Sequence, residues 1–145
     1  MPADLIIRPY RPADEPAVLE LWAACHLIVP HNDPRKDIRR KLRVNPEWFL
    51  IGERDGRVLA NCMAGYEGHR GWINYLAVLP DAQRRGLASR MMAEAERLLR
   101  LAGCPKINLQ ILSTNLQVIE FYQSLGFKID EVTSMGKRLE VDEKT

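Results

Sequence analysis

The chain has 145 residues, 46% of them hydrophobic, with a formal net charge of +2. Those values suit one domain, residues 1–145, around a single core. They lack the concentrated positive charge of a nucleic-acid binder, and no stretch approaches the ~20 apolar residues of a membrane span. The N-terminal residues show no basic segment leading into a long apolar run, so no signal peptide is expected. Cys25, Cys62 and Cys104 are odd in number and widely spaced. They predict free thiols in a reducing cytoplasm, with no disulfide framework and no metal site.

In chain order, residues 4–8 carry Leu5, Ile6 and Ile7 and predict a first strand. Pro12 and Asp14 signal a helix start, with Pro16 tolerated in the first turn. Val18, Leu21, Trp22 and Cys25 follow at helical spacing. The run 30–34 breaks that helix. Asp33 can cap a second one with Pro34 at its first position, and basic residues surround its apolar Ile38 and Leu42. Residues 48–53, 58–66 and 72–79 predict three strands of an antiparallel meander. Asp55-Gly56 joins the first two, and residues 68–71 join the next. Leu87, Met91, Ala95, Leu98 and Ala102 then mark the clearest helix, stopped by Gly103 and Pro105. Residues 107–111 alternate as a strand. A short helix follows from Thr114 or Asn115 to Gly126, and residues 127–133 and 136–141 predict two last strands. The order β-α-α-β-β-β-α-β-α-β-β contains one strand–helix–strand crossover, so the sheet must be mixed.

One segment carries chemistry. The central strand ends at Pro80, and a short polar loop leads to Gly86 at the mouth of the long helix. First-turn amides are unpaired and carry partial positive charge, which makes an anion site where no side chain blocks approach. Gly86 and Ala88 leave the backbone open. Arg84 and Arg85 add charge and Ser89 a hydroxyl, so a pyrophosphate can be held here. The same residues also describe a helix that simply begins Arg-Arg-Gly. They match neither the phosphate loop with a terminal Lys-Ser/Thr nor the dinucleotide glycine fingerprint.

Gln83-Arg84-Arg85-Gly86-Leu87-Ala88 resembles the Q/R-x-x-G-x-G/A signature of the GCN5-related N-acetyltransferases. Asn115 and the later Phe121-Tyr122-Gln123-Ser124-Leu125-Gly126-Phe127 resemble that family's second landmark. The element order is similar too, so the resemblance covers nearly the whole chain. His31-Asn32-Asp33-Pro34 and 103–107 look like a small bacterial subgroup of it. The resemblance implies a mixed, mostly antiparallel α/β sheet of six to seven strands with about four helices. It also implies a cytoplasmic acyltransferase that moves an acetyl group from acetyl-coenzyme A to an amine by direct attack in a ternary complex. The amides of Arg84, Arg85, Gly86, Leu87, Ala88 and Ser89 would bind the coenzyme pyrophosphate. Leu76, Ala77 and Val78 would pair with the pantetheine arm, beside a bulge that splays the strand from its neighbour. The Leu76 amide would polarise the acetyl carbonyl.

By the same resemblance Asn115 would face the pantetheine, although Asn is also an ordinary helix cap. Tyr122 would protonate the leaving thiolate. On helical spacing alone it is equally a core residue beside Val118 and Ile119. The amine must lose a proton before it attacks. Yet residues 72–75 lack the glutamate that some relatives place there, and Gln110 stands where others place one. Glu67, His69, His31, Asp33 or a water chain remain as candidates for the base, and each side chain is also an ordinary surface or capping residue. An α-amine, with an unperturbed pKa near ~7.7–8.0 against ~10.4 for lysine, needs the least help. The acceptor is therefore expected to be a weakly basic amine of a small molecule or protein N-terminus. Two other readings stay open. One is an acetyl-coenzyme A sensor without turnover, which the missing carboxylate favours. The other is a nucleic-acid binder using the basic second helix, which the small net charge disfavours. Strand edges near the C terminus offer a route to a homodimer.

Overall fold

The structure is a computed structural model and describes residues 4–142. Strand β1 (Ile6–Pro9) leads through a 3-10 turn into helix α1 (Glu15–Ala24). Pro16 lies in the first turn, where its missing amide has no helical partner to lose. Asp14 fixes this entry. It accepts from the Arg11 amide at 2.8 Å and takes two bonds from the Arg8 guanidinium at 2.8 and 2.9 Å. Helix α2 (Pro34–Lys41) is capped by Asp33, whose side chain accepts from the Arg35 amide at 2.9 Å.

Strands β2 (Phe49–Arg54) and β3 (Arg57–Tyr66) are joined by Asp55 and Gly56, with φ of +53° and +76°. Positive φ at both central residues is what a tight hairpin of the right twist requires. Strand β4 (Gly71–Val78) completes the meander. Helix α3 (Leu87–Leu101) crosses over to β5 (Ile107–Asn108), and α4 (Leu116–Ser124) follows. The sheet order is β1-β2-β3-β4-β5, antiparallel except for the parallel β4–β5 pair that the crossover demands.

The mixed, mostly antiparallel sheet and four helices match the expectation, but the described residues form five strands rather than six to seven. The strand expected at 107–111 keeps only two residues, and 127–133 and 136–141 form none. Alternation of apolar residues is a local property, whereas a strand also needs a neighbour to complete its ladder. Residues 127–134 run beside β5 through side chains instead, and 138–142 pass on to the α2 side. Lys106 pairs with Asp130 at 2.7 Å, and Gln110 donates to Ser134. Ile129, Val132, Leu139 and Val141 consequently stay exposed.

The two faces of the sheet build two cores. Leu50, Ala60, Cys62 and Ile73 pack with Leu87, Met91, Ala95 and Leu99 of α3, and with Tyr122 of α4. Phe49, Ile51, Met63 and Ala77 pack with Val18, Leu21 and Trp22 of α1, and with Ile38 of α2. Full burial of one such Leu, Ile or Phe is worth about 1.5–3 kcal/mol, so strand alternation fixes which helix covers which face.

Candidate active site

The loop between β4 and α3 is built to be open. Gln83 folds back and donates from Nε2 to the Val78 carbonyl at 2.9 Å, tying the loop to the end of β4. Arg84 and Gly86 then take φ of +65° and +78°. The Arg90 amide reaches the Gly86 carbonyl at 3.1 Å as the first helical bond. The amides of Leu87, Ala88 and Ser89 thus form the free first turn, and no side chain caps it. Gly86 suits its left-handed backbone, which costs other residues strain. A Cβ built on it would meet nothing within 4 Å. Arg84 and Arg85 are exposed beside it. Free amides, a positive helix end and two arginines with room in front form a fitting cradle for a pyrophosphate.

A second opening lies along β4. It pairs with β5 only at Gly71–Ile107 and Trp72–Asn108, so the strands part beyond that point. On its other side the register runs Asn61↔Ala77 and then Met63↔Asn74. Strand β4 therefore carries one extra residue against β3, a bulge at Tyr75 and Leu76, with Tyr75 at φ +56°. The Leu79 amide donates to the Leu59 carbonyl of β3 at 2.8 Å. By alternation Ala77 also faces β3, whereas Leu76 and Val78 turn their main-chain groups toward the gap. The Val78 carbonyl is taken by Gln83 and by the Cys25 thiol at 3.2 Å. The gap suits an extended arm laid against the strand.

Tyr122 is buried in the α3-side core, with the edges of Phe121 and Phe127 at centroid distances of 5.1 and 5.5 Å. Burial pushes its phenol well above the ordinary tyrosine range, and the nearby Cys62 adds to this. It stays protonated at neutral pH. Asn115 is exposed and caps α4, its side chain accepting from the Val118 amide at 3.3 Å. A cleft of about 1300 Å³ between β5 and residues 127–134 includes Tyr122 but none of residues 83–89. That cleft is the space left where the unpaired segment runs beside β5. The free amides of the Gly86 loop lie outside this cleft, whereas Trp72, Ile107 and Asn108 at the end of the β4–β5 pairing line it.

The candidate bases do not gather here. Glu67 accepts from the amides of Arg70 and His69 in the β3–β4 turn, and these bonds hold its carboxyl below the ordinary range. That turn lies six residues from Leu76, roughly 20 Å at ~3.3 Å per residue. Asp33 is buried as the α2 cap, and His31 is exposed in the preceding loop.

Sequence reasoning missed a group on the opposite face. Tyr75, at the bulge, stacks on Trp22 with ring centroids 4.0 Å apart and 15° between planes. Its hydroxyl donates to Asp37 Oδ2 at 2.6 Å. Trp22 donates to Asn61 Oδ1 at 3.1 Å, and the Nδ2 of the fully buried Asn61 has no partner. Arg40 bridges Asp37 at 2.9 Å and Asp142 at 2.6 Å, and Asp142 also accepts from the Asp33 amide at 2.8 Å. The i, i+3 spacing of Asp37 and Arg40 was the one visible signal. Among the described residues no group of acidic, His and Cys side chains is placed to hold a metal. None of their helices is long and apolar enough to cross a membrane.

Comparison with known proteins gives consistent matches. The model of the acetyltransferase (GNAT) family matches residues 15–127. An acetyltransferase of Sodalis glossinidius is 43% identical over 139 residues, covering 95% of this chain and 98% of its own. One from Yersinia enterocolitica is 41% identical over 138 residues with the same coverage. Among solved structures, the aminoglycoside N-acetyltransferase AAC(6')-Iy in complex with CoA has a TM-score of 0.74 at 18% identity, covering 96% of this chain and 97% of that one. Ard1 from Thermoplasma volcanium has a TM-score of 0.75 at 21% identity, covering 87% and 84%.

Proposed function

The chain belongs to the acetyltransferase (GNAT) family and is an acetyl-coenzyme A-dependent acyltransferase; from that premise we propose how its residues divide the work. The observation that carries the reading is the uncapped α3 N-terminus at Gly86, tied by Gln83 to the end of the bulged strand. The amides around Gly86, with Arg84 and Arg85, hold the pyrophosphate. Leu76 and Val78 hold the pantetheine arm in the β4–β5 gap, with Asn115 at its far side. When bound, acetyl-coenzyme A supplies an activated thioester.

The Leu76 amide donates to the thioester carbonyl oxygen, where negative charge develops, and such a donor is worth about 2.7–4 kcal/mol in comparable sites. Tyr122 keeps its proton at Oη until the thiolate departs. Glu67 accepts within the β3–β4 turn and Asp33 caps α2, so the ammonium proton leaves to a water chain before the amine attacks. The acceptor is then a weakly basic amine, an α-amine before a lysine. The whole chain acts as one cytoplasmic domain, with no nucleic-acid or membrane partner.

The test is calorimetric titration with acetyl-coenzyme A, coenzyme A and the 3'-dephosphorylated form, on wild type and on Gly86→Glu. Wild type should bind and the variant should not. The same preparations are then offered peptides with a free α-amine, and the same peptides blocked at the N-terminus but carrying lysine. No wild-type binding would remove the site. Equal or faster turnover on lysine would remove the α-amine reading.

A further inference from the structure

We propose that Asp37 and Tyr75 form a clamp that sets the aim of the Leu76 amide, which makes Asp37 a positioning residue for acyl transfer. This rests on the cofactor reading above. Its own basis is the strained residue that precedes Leu76. Tyrosine at φ +56° is an uncommon conformation for a bulky side chain. Such strain persists only where the surroundings over-determine it.

Two holds do so here, one on the ring face and one on the hydroxyl. Trp22 supports the ring face at 4.0 Å, and Asp37 takes the hydroxyl at 2.6 Å. Each hold is itself anchored. Trp22 is fixed by Asn61, which sits opposite Ala77, so the residues on both sides of Leu76 are tied to the same cluster. Asp37 is fixed by Arg40, and Arg40 by Asp142. The buried Asn61 leaves its Nδ2 unpaired. A buried amide with an orphan donor is costly, and holding Trp22 gives it a purpose.

Position matters more here than presence. An amide donor stabilises developing charge only when it points at the oxygen, and hydrogen bonds weaken steeply away from linearity. In a bulge, a rotation about Tyr75 φ swings the next amide directly. With the clamp released, the chain can relieve the strain by leaving positive φ. The Leu76 amide then turns, while the pyrophosphate cradle at Gly86 stays intact.

The experiment uses acetyl-coenzyme A labelled with carbon-13 at the carbonyl, bound to wild type, Tyr75→Phe, Asp37→Ala and Asp37→Asn. Isotope-edited infrared spectra read the thioester stretch, and calorimetry reads affinity. Wild type should show a stretch shifted to lower frequency than in water. Tyr75→Phe keeps the ring stack and Asp37→Ala keeps the helix. Both should bind within about threefold of wild type yet lose most of the shift. Asp37→Asn, which retains an acceptor, should recover most of it. A wild-type shift in folded Tyr75→Phe and Asp37→Ala, with urea midpoints confirming the fold, would overturn the clamp. Wild-type binding without any shift would overturn it too. Failure of wild type to bind at all would instead strike the cofactor site itself.

Discussion

At the scale of single residues, the site depends on groups held in costly states. Tyr122 is a phenol buried among apolar side chains, which disfavours its charged form. The phenol therefore keeps its proton at neutral pH and is present in the donor form, while its raised pKa makes it a weaker acid than a free tyrosine. Tyr122→Phe keeps the ring and its edge contacts to Phe121 and Phe127 while deleting only the hydroxyl. As the proposed donor, its loss should lower kcat by about a hundredfold or more and leave acetyl-coenzyme A affinity unchanged by calorimetry. Unaltered turnover would return Tyr122 to a purely structural role. Tyr75 is the counterpart on the other face. Its strain is conformational rather than electrostatic, and neither state can be read from residue type alone.

At the scale of elements, β4 is the scaffold. It pairs fully with β3 and briefly with β5, and that asymmetry makes the gap. The brief pairing is held at Gly71. Its amide donates to the Lys106 carbonyl at 2.8 Å, and a Cβ there would lie 2.8 Å from Cys104 Sγ and 3.3 Å from Leu99 Cδ1. Gly71→Ala must therefore displace the Cys104 thiol and crowd Leu99 of α3. Overpacking of this kind costs about 1–3 kcal/mol, so the urea midpoint should fall. Because the gap is set by where β5 leaves β4, coenzyme affinity should fall with it. A variant as stable as wild type would show that Cys104 swings aside freely. Helix α3 is legible from sequence because its stripe, its Gly86 start and its Gly103 stop lie within one local segment. The bulge was expected beside the signature, but its place at Tyr75 needed the register of β3.

At the scale of the whole molecule, the chain end reaches back to the site. Asp142 is joined to Arg40 and to the Asp33 amide more than a hundred residues earlier. The Arg40 guanidinium, and then the Asp33 amide, hold its carboxyl well below the usual range. A carboxylate depressed in the folded state adds stability above its unfolded pKa of about 3.9 and loses it as pH falls toward the folded value. Urea midpoints of wild type should therefore drop between about pH 5 and 2 more steeply than those of Asp142→Asn. Parallel curves would mean the tail bears no load. By itself the sequence determined the features that arise within a few residues of one another. These include the Asp33 cap, the Asp55-Gly56 hairpin, the stripe of α3 and the open loop at Gly86, because dihedral preference and side-chain period act locally. Only the tertiary structure decided that β5 stops after two residues and that 127–142 finds no ladder. It alone joined Tyr75 to Asp37 across 38 positions. Those outcomes depend on what each segment meets in space, and contact between distant segments leaves no mark on either one.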